Sequence, residues 1–192
     1  DPESVQGLLR KGPVTFYVGF DATASSLHAG SLVPIMAMAH LQRAGHRPIA
    51  LLGTGTTLLG DPSGKTQARP LLAREQIAAN KEGIRRNLEC FLELGEPGRP
   101  GSEKGLLLEN GAWLEPLCYL DFLREIGRHF SVNRMLAAEA YKARLETGLS
   151  FLEFNYQILQ AYDFLVLHRE HGCVLQAGGD DQWGNMVAGT DL

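Results

Sequence analysis

Short apolar runs alternate along this chain with longer segments in which apolar side chains recur at helical spacing. The apolar runs predict four buried strands, at residues 14–20, 48–52, 106–108 and 174–176. Helical spacing covers residues 31–44, 73–94, 113–127, 138–147 and 150–167, and it resumes from Asp181 onward. Alternating strands and helices are typical of an α/β domain with a parallel sheet, in which ligands bind beyond the carboxyl ends of the strands.

Glycine-rich segments mark where several predicted elements end. Gly45 follows the helix at 31–44 and is typical of a helix C-cap. The strand at 48–52 opens into a Gly- and Thr-rich loop that is expected to run to Lys65. The Gly- and Pro-rich segment 95–101 breaks the chain but is too short to separate two domains. We therefore expect a single domain over residues 1–192.

Composition excludes several classes of protein. The 192 residues are 44% hydrophobic and 21% charged, which is ordinary for a globular domain with one buried core. The net charge of -4 gives no overall signal for nucleic acid, so an RNA-binding surface would be a local patch or lie on a missing part. Three widely spaced cysteines favour reduced thiols over a disulfide framework, and no apolar run approaches a membrane span. Without an initiator Met, the chain is expected to be a fragment.

The first polar cluster, residues 21–31, joins the first predicted strand to the first predicted helix. Its main-chain N–H groups and the helix dipole favour an anion, and Thr23 and His28 can add hydrogen bonds to a phosphate. A glycine close to the helix start allows a ligand to approach the backbone. The alternative is a capped loop that carries a solvent-exposed histidine.

The second cluster, residues 53–66, is rich in glycine but matches neither standard phosphate-binding motif. Only three residues separate Gly60 from Gly64, one fewer than a P-loop requires, and no third glycine completes a dinucleotide-binding motif. The loop still offers three charged side chains to a ligand, Asp61, Lys65 and Arg69. A solvated turn is the alternative.

The third and fourth clusters lie on the 150–167 helix and at residues 176–185. Tyr156, Gln160 and Asp163 are spaced i, i+4 and i+7, which places them on one helix face. Buried polar groups need partners, so this face fits a pocket for a ligand that carries an ammonium and a hydroxyl, with a solvated face as the alternative. In the fourth cluster, Asp181 can bind a pair of ribose hydroxyls and Gln182 a carboxylate or amide.

Several blocks of the chain resemble the bacterial and organellar type of tyrosyl-tRNA synthetase, a class I synthetase family. Residues 17–28 are similar to that family's YCGFDPTADSLH, and residues 60–65 match its GDPSGK segment. Further matching blocks, in the right order, are HFSVN, LQAYDF and GGDDQWGN at residues 129–133, 159–164 and 178–185. The resemblance covers nearly the whole chain, and blocks of this length in order make it specific.

The resemblance implies a catalytic nucleotide-binding domain with a Rossmann-like, doubly wound parallel sheet and helices on both faces. It implies an enzyme that activates L-tyrosine with ATP and transfers it to tRNA(Tyr), with Mg²⁺ accompanying the ATP and no metal site of the protein's own. A cytoplasmic homodimer without a membrane segment is expected, and an organellar location is the alternative. The family's KMSKS-like loop and anticodon-binding region are expected to follow residue 192.

The matched positions also imply roles in binding the amino acid. Tyr17 and Asp163 would hydrogen-bond the substrate phenol and so distinguish tyrosine from phenylalanine. The groups that would hold the α-ammonium are Tyr156, Asp61 and Gln160. Gln182 would lie beside the carboxylate.

The remaining matched positions are implied to serve the nucleotide. Thr23 and His28 would stabilise the departing pyrophosphate, and Lys65 and Arg69 would assist the transition state from a loop that resembles the family's mobile one. The residues that would line the ATP and adenylate site are Gly19, Asp21, Gly30, Ser31, Gly179 and Asp181, with Asp181 on the ribose.

Departures from the family's pattern concentrate in the nucleotide site. The HIGH signature keeps His28 but has Ser31 at its fourth position, where one hydrogen bond can still be donated, and Ala22 replaces a proline. An RNA-binding or scaffolding paralogue that has lost the activity is therefore the alternative function. A tryptophanyl synthetase needs no Tyr17 and Asp163 pair, and a free-standing nucleotidyltransferase would lack the polar helix face.

Overall fold

A computed structural model describes residues 2–63, 71–95, 104–137 and 139–192. The strands of these residues form one sheet in which every pairing is parallel. They are β1 (Thr15–Asp21), β2 (Arg47–Gly53), β3 (Leu94–Gly95), β4 (Gly105–Glu109) and β5 (Cys173–Gln176), in the spatial order β3-β4-β2-β1-β5. The order reverses between β1 and β5, and the crevice beyond their carboxyl ends is where such sheets bind ligands.

Helices connect and cover the strands. In the described ranges they are α1 (Pro2–Arg10), α2 (Leu32–Arg43), α3 (Arg74–Glu89), α4 (Gly111–Leu114), α5 (Tyr119–Glu125), α6 (Val132–Leu136), α7 (Glu139–Thr147), α8 (Phe151–Phe154), α9 (Tyr156–His171) and α10 (Trp183–Asp191). No helix of the described residues is long and apolar enough to cross a membrane. The elements α1, α6 and β3 were not predicted. β3 has only two residues, and α1 buries none of its side chains, so neither element produces a core-facing apolar pattern in the sequence.

Alternate residues of β1 enter two cores, one on each face of the sheet. Phe16, Val18 and Phe20 of β1 pack with side chains of α2 and α3. Tyr17, on the opposite face, packs against α9, where its ring stacks on Phe164 with the centroids 5.9 Å apart. Both faces are covered, so the central strands are apolar at nearly every position. The prediction of a doubly wound parallel sheet with helices on both faces is confirmed.

Two predicted helices are interrupted, and each break has a local cause. Segment 113–127 forms α4 and α5 separately, because Pro116 has no N–H for a helical hydrogen bond and its ring clashes with the preceding turn. Segment 150–167 is divided at Asn155, whose side-chain amide donates to the Phe151 carbonyl and competes with the helical main-chain bond. The prediction of single helices was wrong at both places.

Other boundaries differ by a few residues. α3 ends at Glu89, before the predicted end, and α9 continues to His171, where Gly172 takes a left-handed φ of 63°. Gly45 follows α2 with a φ of 90°, as a C-cap glycine should. The end of the predicted loop to Lys65 and most of the segment 95–101 lie outside the described residues.

A buried ion pair joins α7 to α8. The Arg144 guanidinium donates to both carboxylate oxygens of Glu153 at 3.0 and 3.1 Å, and the two side chains are 4% and 5% exposed. Ser150 forms a capping box with Glu153 at the start of α8. Burial alone would raise the pKa of Glu153, but the hydrogen bonds from Arg144 and Ser150 outweigh it and hold the pKa below its ordinary value.

Glu153→Gln should lower the free energy of unfolding by about 3–5 kcal/mol at pH 7, because it removes one partner of a buried pair and leaves the other charged. Since the folded-state pKa of Glu153 is depressed, its contribution is present above the ordinary value of 4.5 and is lost as the pH falls through the folded-state pKa. The difference in the free energy of unfolding between Glu153→Gln and the unsubstituted protein should therefore become smaller in acid. Urea unfolding at several pH values measures it. Glu146→Gln, at an exposed glutamate of α7, is the control and should change stability little.

Candidate active site

A cavity of about 290 Å³ opens at the carboxyl ends of β1 and β5, where the strand order reverses. It is walled by β1, the loop that follows it, the turn after β2, α9 and the segment after β5. The predicted site residues that line it are Tyr17, Gly19, Asp21, Thr23, His28, Ser31, Asp61, Tyr156, Gln160, Asp163, Asp181 and Gln182. The structure thus brings together side chains from all four polar clusters.

Two predicted residues of the described ranges are not part of this wall. Gly30 and Gly179 do not line the cavity, although their neighbours Ser31 and Gly178 do. Lys65 and Arg69 lie outside the described residues. The wall also contains residues that the sequence analysis did not assign, notably Asn110, Thr56 and Gln176.

Asp163 is the most buried carboxylate of the cavity and is held by two donors. The Asn110 side-chain amide donates to Oδ2 at 2.9 Å, and the Trp113 indole N–H donates to Oδ1 at 2.7 Å. Burial raises the pKa of Asp163 to about 7, while these two hydrogen bonds oppose the rise. The sequence analysis missed Asn110 and Trp113 as partners of Asp163, because neither lies in a motif with it. The available signal was the position of Asn110 directly after a strand, where parallel sheets bind their ligands.

Tyr17 presents its hydroxyl to the same part of the cavity. The hydroxyl donates to Gln176 Oε1 at 3.0 Å, and the Gln176 amide nitrogen is held in turn by the Met186 carbonyl at 2.9 Å. Burial, reinforced by the nearby Asp163 carboxylate, raises the pKa of Tyr17 well above its ordinary value. The phenol is therefore neutral and able to hydrogen-bond a ligand.

Tyr156 and Asp21 connect α9 to the end of β1. The Tyr156 hydroxyl donates to Asp21 Oδ2 at 3.0 Å, and the Thr56 hydroxyl donates to Asp21 Oδ1 at 2.8 Å. A Cβ atom at Gly53 would lie 2.1 Å from Asp21 Oδ1, so only glycine fits there without displacing the carboxylate. The hydrogen bond between Tyr156 and Asp21 therefore joins a residue predicted to bind the amino acid to one predicted to bind the nucleotide.

Gln160 and Gln182 are two of the residues whose side-chain amides line the cavity. Gln160 Oε1 is buried and has no hydrogen-bond partner within the described ranges, so it offers a free acceptor to an N–H donor. The Gln182 amide nitrogen donates to Asp61 Oδ2 at 2.8 Å and to Asp181 Oδ2 at 3.0 Å. Gln182 thereby links two carboxylates that belong to different polar clusters.

His28 lies at the mouth of the cavity with one ring nitrogen occupied. Its Nδ1 accepts a hydrogen bond from the Gly30 N–H at 3.1 Å, so in the neutral ring Nε2 carries the hydrogen and can donate it. A Cβ atom at Gly30 would lie 2.8 Å from His28 Cε1. Gly30 therefore makes room for the imidazole ring.

A larger cavity of about 620 Å³ lies between α6 and α10, with mostly apolar walls that include Trp183 and Met135. Of the predicted site residues in the described ranges, only Asp181 lines it. The polar side chains converge on the smaller cavity, which we therefore take as the site. Within the described residues, no group of three or more His, Cys, Asp or Glu is placed to hold a metal ion.

The fold and the site together define a Rossmann-like α/β domain with a candidate ligand cavity at the switch point of the sheet. A family model described as tRNA synthetases class I (W and Y) matches residues 9–192. The chain belongs to this family.

Relatives and solved structures agree with that assignment. The chain is 59% identical to a tyrosine–tRNA ligase of Desulfatibacillum aliphaticivorans and 55% identical to one of Clostridium tetani, in each case over 99% of its own length. It spans 43% and 45% of these relatives, less than half of their length.

Among solved structures, a C-terminally truncated mitochondrial tyrosyl-tRNA synthetase of Aspergillus nidulans superposes with a TM-score of 0.81 at 32% identity, covering 92% of this chain and 51% of that chain. A tryptophanyl-tRNA synthetase of Campylobacter jejuni has a TM-score of 0.65 at 15% identity, covering 94% and 49%, and shows the shared fold alone.

Trp113→Phe should raise the pKa of Asp163 further, because it removes a donor that favours the ionised carboxylate. A hydrogen bond to a charged group is worth about 1.5–3 kcal/mol, or roughly one to two pKa units. The ¹³C chemical shift of the Asp163 carboxyl carbon, followed through a pH titration, measures the midpoint. The chain has two tryptophans, and Trp183→Phe is the matched control because Trp183 is 68% exposed. Equal titration midpoints of Asp163 in Trp113→Phe and Trp183→Phe would show that Trp113 does not lower the pKa of Asp163.

Proposed function

We propose that this chain is the catalytic domain of an ATP-dependent tyrosine–tRNA ligase, which forms tyrosyl-adenylate and transfers the tyrosyl group to tRNA(Tyr). The observation that carries the proposal is the pair formed by the Tyr17 hydroxyl and the Asp163 carboxylate, both buried in the wall of one cavity. The names of relatives at 55% and 59% identity support it.

In this proposal the Tyr17 and Asp163 pair reads the phenol of tyrosine. The substrate hydroxyl donates to the ionised Asp163 and accepts from Tyr17, so both of its hydrogen-bonding capacities are used. A phenylalanine ring offers neither, and the pocket's polar groups lose those partners on binding it. Tyrosyl-tRNA synthetases are themselves the standard example of this discrimination.

The α-ammonium of tyrosine would lie among Gln160, Tyr156 and Asp61. The free Gln160 Oε1 supplies one acceptor and the Asp61 carboxylate supplies charge. Gln182, bonded to Asp61 at 2.8 Å, would lie beside the substrate carboxylate and direct it towards the nucleotide.

The nucleotide would occupy the mouth of the cavity. Asp181 would bind the ribose hydroxyls, and the other residues proposed to contact ATP or the adenylate are Gly19, Asp21, Gly30, Ser31 and Gly179. Lys65 and Arg69 are proposed to stabilise the transition state. We propose that Mg²⁺ enters bound to the phosphates of ATP.

The proposed reaction needs no nucleophile from the protein. An oxygen of the tyrosine carboxylate forms a bond to the α-phosphorus of ATP while the bond from that phosphorus to pyrophosphate breaks. Negative charge then grows on the departing pyrophosphate, where the His28 Nε2–H and the Thr23 hydroxyl can donate. Catalysis rests on placement and on this charge stabilisation.

We also propose a homodimer in the cytoplasm. Leu120 and Tyr119 of α5 are 73% and 57% exposed, and Phe151 of α8 is 68% exposed. Large apolar side chains left uncovered in this way are typical of a surface that a second copy of the chain would bury.

The domain should bind L-tyrosine more tightly than L-phenylalanine. The substitution Tyr17→Phe should reduce this difference in affinity between the two amino acids. The variant loses one neutral hydrogen bond to the substrate hydroxyl, worth roughly 0.5–1.5 kcal/mol. Isothermal titration calorimetry of both amino acids measures the effect. Tyr162→Phe, at a tyrosine of α9 that does not line the cavity, is the control. Equal affinities of the unsubstituted protein for the two amino acids would contradict the pocket assignment.

His28→Ala in the full-length protein should slow tyrosyl-adenylate formation by about 10²–10³-fold, the usual effect of losing a donor to charge that develops in the transition state. The dissociation constants for tyrosine and ATP should change by less than about threefold, because the interaction is made mainly in the transition state. Pyrophosphate exchange with parallel equilibrium binding measures both. An unchanged exchange rate would exclude His28 from catalysis, and tyrosine binding without exchange in the unsubstituted protein would favour the scaffolding alternative.

A further inference from the structure

Helix α3 contacts the loop of residues 22–28, which carries Thr23 and His28, at both of its ends. The Asn80 side-chain amide donates to the Ala22 carbonyl at 2.8 Å. The Leu27 N–H donates to Asn87 Oδ1 at 2.9 Å. The two asparagines are seven residues apart and therefore lie on one face of the helix.

These bonds fix which atom each asparagine uses. A main-chain carbonyl only accepts and a main-chain N–H only donates, so Asn80 must present its amide nitrogen and Asn87 its oxygen. Asn80 is 2% exposed, and the amide nitrogen of Gln76 donates to its oxygen at 2.9 Å. Both polar atoms of this buried side chain are thereby occupied.

The middle of the loop lies directly against Gly83, between the two asparagines. A Cβ atom at Gly83 would lie 1.8 Å from the Ser25 carbonyl oxygen, a main-chain atom. Any side chain at this position must displace the loop. The helix itself is anchored in the core by Ile84 and Leu88, which are 1% and 0% exposed.

The loop has little structure of its own to hold it. Among the described residues, no main-chain to main-chain hydrogen bond begins or ends within residues 22–27. Residues 23–26 are exposed. The Ala22 N–H donates to the Thr57 hydroxyl at 2.8 Å, and the His28 carbonyl accepts from the Ser31 N–H at 2.9 Å. Within the described residues, the other hydrogen bonds to the loop backbone come from α3.

We propose that Asn80 and Asn87 are positioning residues that hold the 22–28 loop on α3 and thereby place Thr23 and His28 for the reaction. The role in the reaction rests on the proposed function, whereas the holding of the loop does not. Asn87 acts through the residue that precedes His28, and Asn80 through the residue that precedes Thr23.

Asn87→Ala in the full-length protein should slow adenylate formation by about tenfold, the effect of one lost hydrogen bond on a group that acts in the transition state. The dissociation constant for tyrosine should stay within about threefold. In the double variant His28→Ala/Asn87→Ala, the second substitution should add almost nothing, because the two residues act through one contact. Arg86→Ala, at an exposed neighbour on α3, is the control. Additive effects would overturn the proposal.

Conservative variants separate positioning from a general loss of structure. Asn87→Asp keeps an acceptor for the Leu27 N–H and should restore most of the rate, whereas Asn80→Asp turns a carboxylate towards the Ala22 carbonyl and should not. Gly83→Ala should slow the reaction even though alanine is the better helix former. Equal rates in Asn87→Asp and Asn87→Ala would contradict the assignment.

Amide hydrogen exchange tests the loop without any turnover. The Leu27 N–H should exchange faster in Asn87→Ala than in the unsubstituted protein, and at the original rate in Asn87→Asp. If the unsubstituted protein does not catalyse pyrophosphate exchange, the proposed function fails. The hydrogen-exchange rate of the Leu27 N–H still decides, in that case, whether α3 holds the loop. Unchanged protection of Leu27 in Asn87→Ala would show that it does not.

Discussion

A chain of hydrogen bonds between two carboxylates joins four parts of the domain. Asn110, at the end of β4, donates to Asp163 of α9 and to the Thr56 hydroxyl in the turn after β2. Thr56 donates in turn to Asp21 at the end of β1, which also accepts from Tyr156. Leaving a buried acceptor unsatisfied costs about 1–3 kcal/mol, so these elements hold the positions in which all the donors reach. The cavity has its shape because its carboxylates have to be paired.

The two faces of the sheet carry different parts of the site. On one face, α9 supplies Tyr156, Gln160 and Asp163, the groups suited to an amino acid. On the other face, α3 contacts the loop that carries the donors suited to a phosphate. β1 separates the two helices and contributes to both sides, because its alternating residues point to opposite faces. The two substrates would therefore meet at the end of β1, where Asp21 lies.

The sequence predicted most of this architecture through short-range patterns. Strands and long helices follow from apolar periodicity, and the face shared by Tyr156, Gln160 and Asp163 follows from helical spacing alone. Contacts between distant segments could not be predicted in this way. Asn110 and Trp113 lie 53 and 50 residues before Asp163, and nothing in their local sequence marks a partner on another helix. The Asn80 and Asn87 contacts with the loop were missed for the same reason, since each asparagine is only one polar residue on a charged helix.

The state of the polar groups in the cavity bears on how selectivity would arise. Tyr17 and Tyr156 already donate within the protein, to Gln176 and Asp21, so a ligand would exchange or add to existing bonds rather than find unpaired hydroxyls. An ionised carboxylate offers about four acceptor sites, and among the described residues Asn110 and Trp113 use two of those on Asp163. The remaining capacity accepts a hydroxyl hydrogen but not a ring C–H. Burial, which makes ionisation of Asp163 costly, also makes that unused capacity selective, because a bound ligand without the hydroxyl leaves it unsatisfied inside the protein.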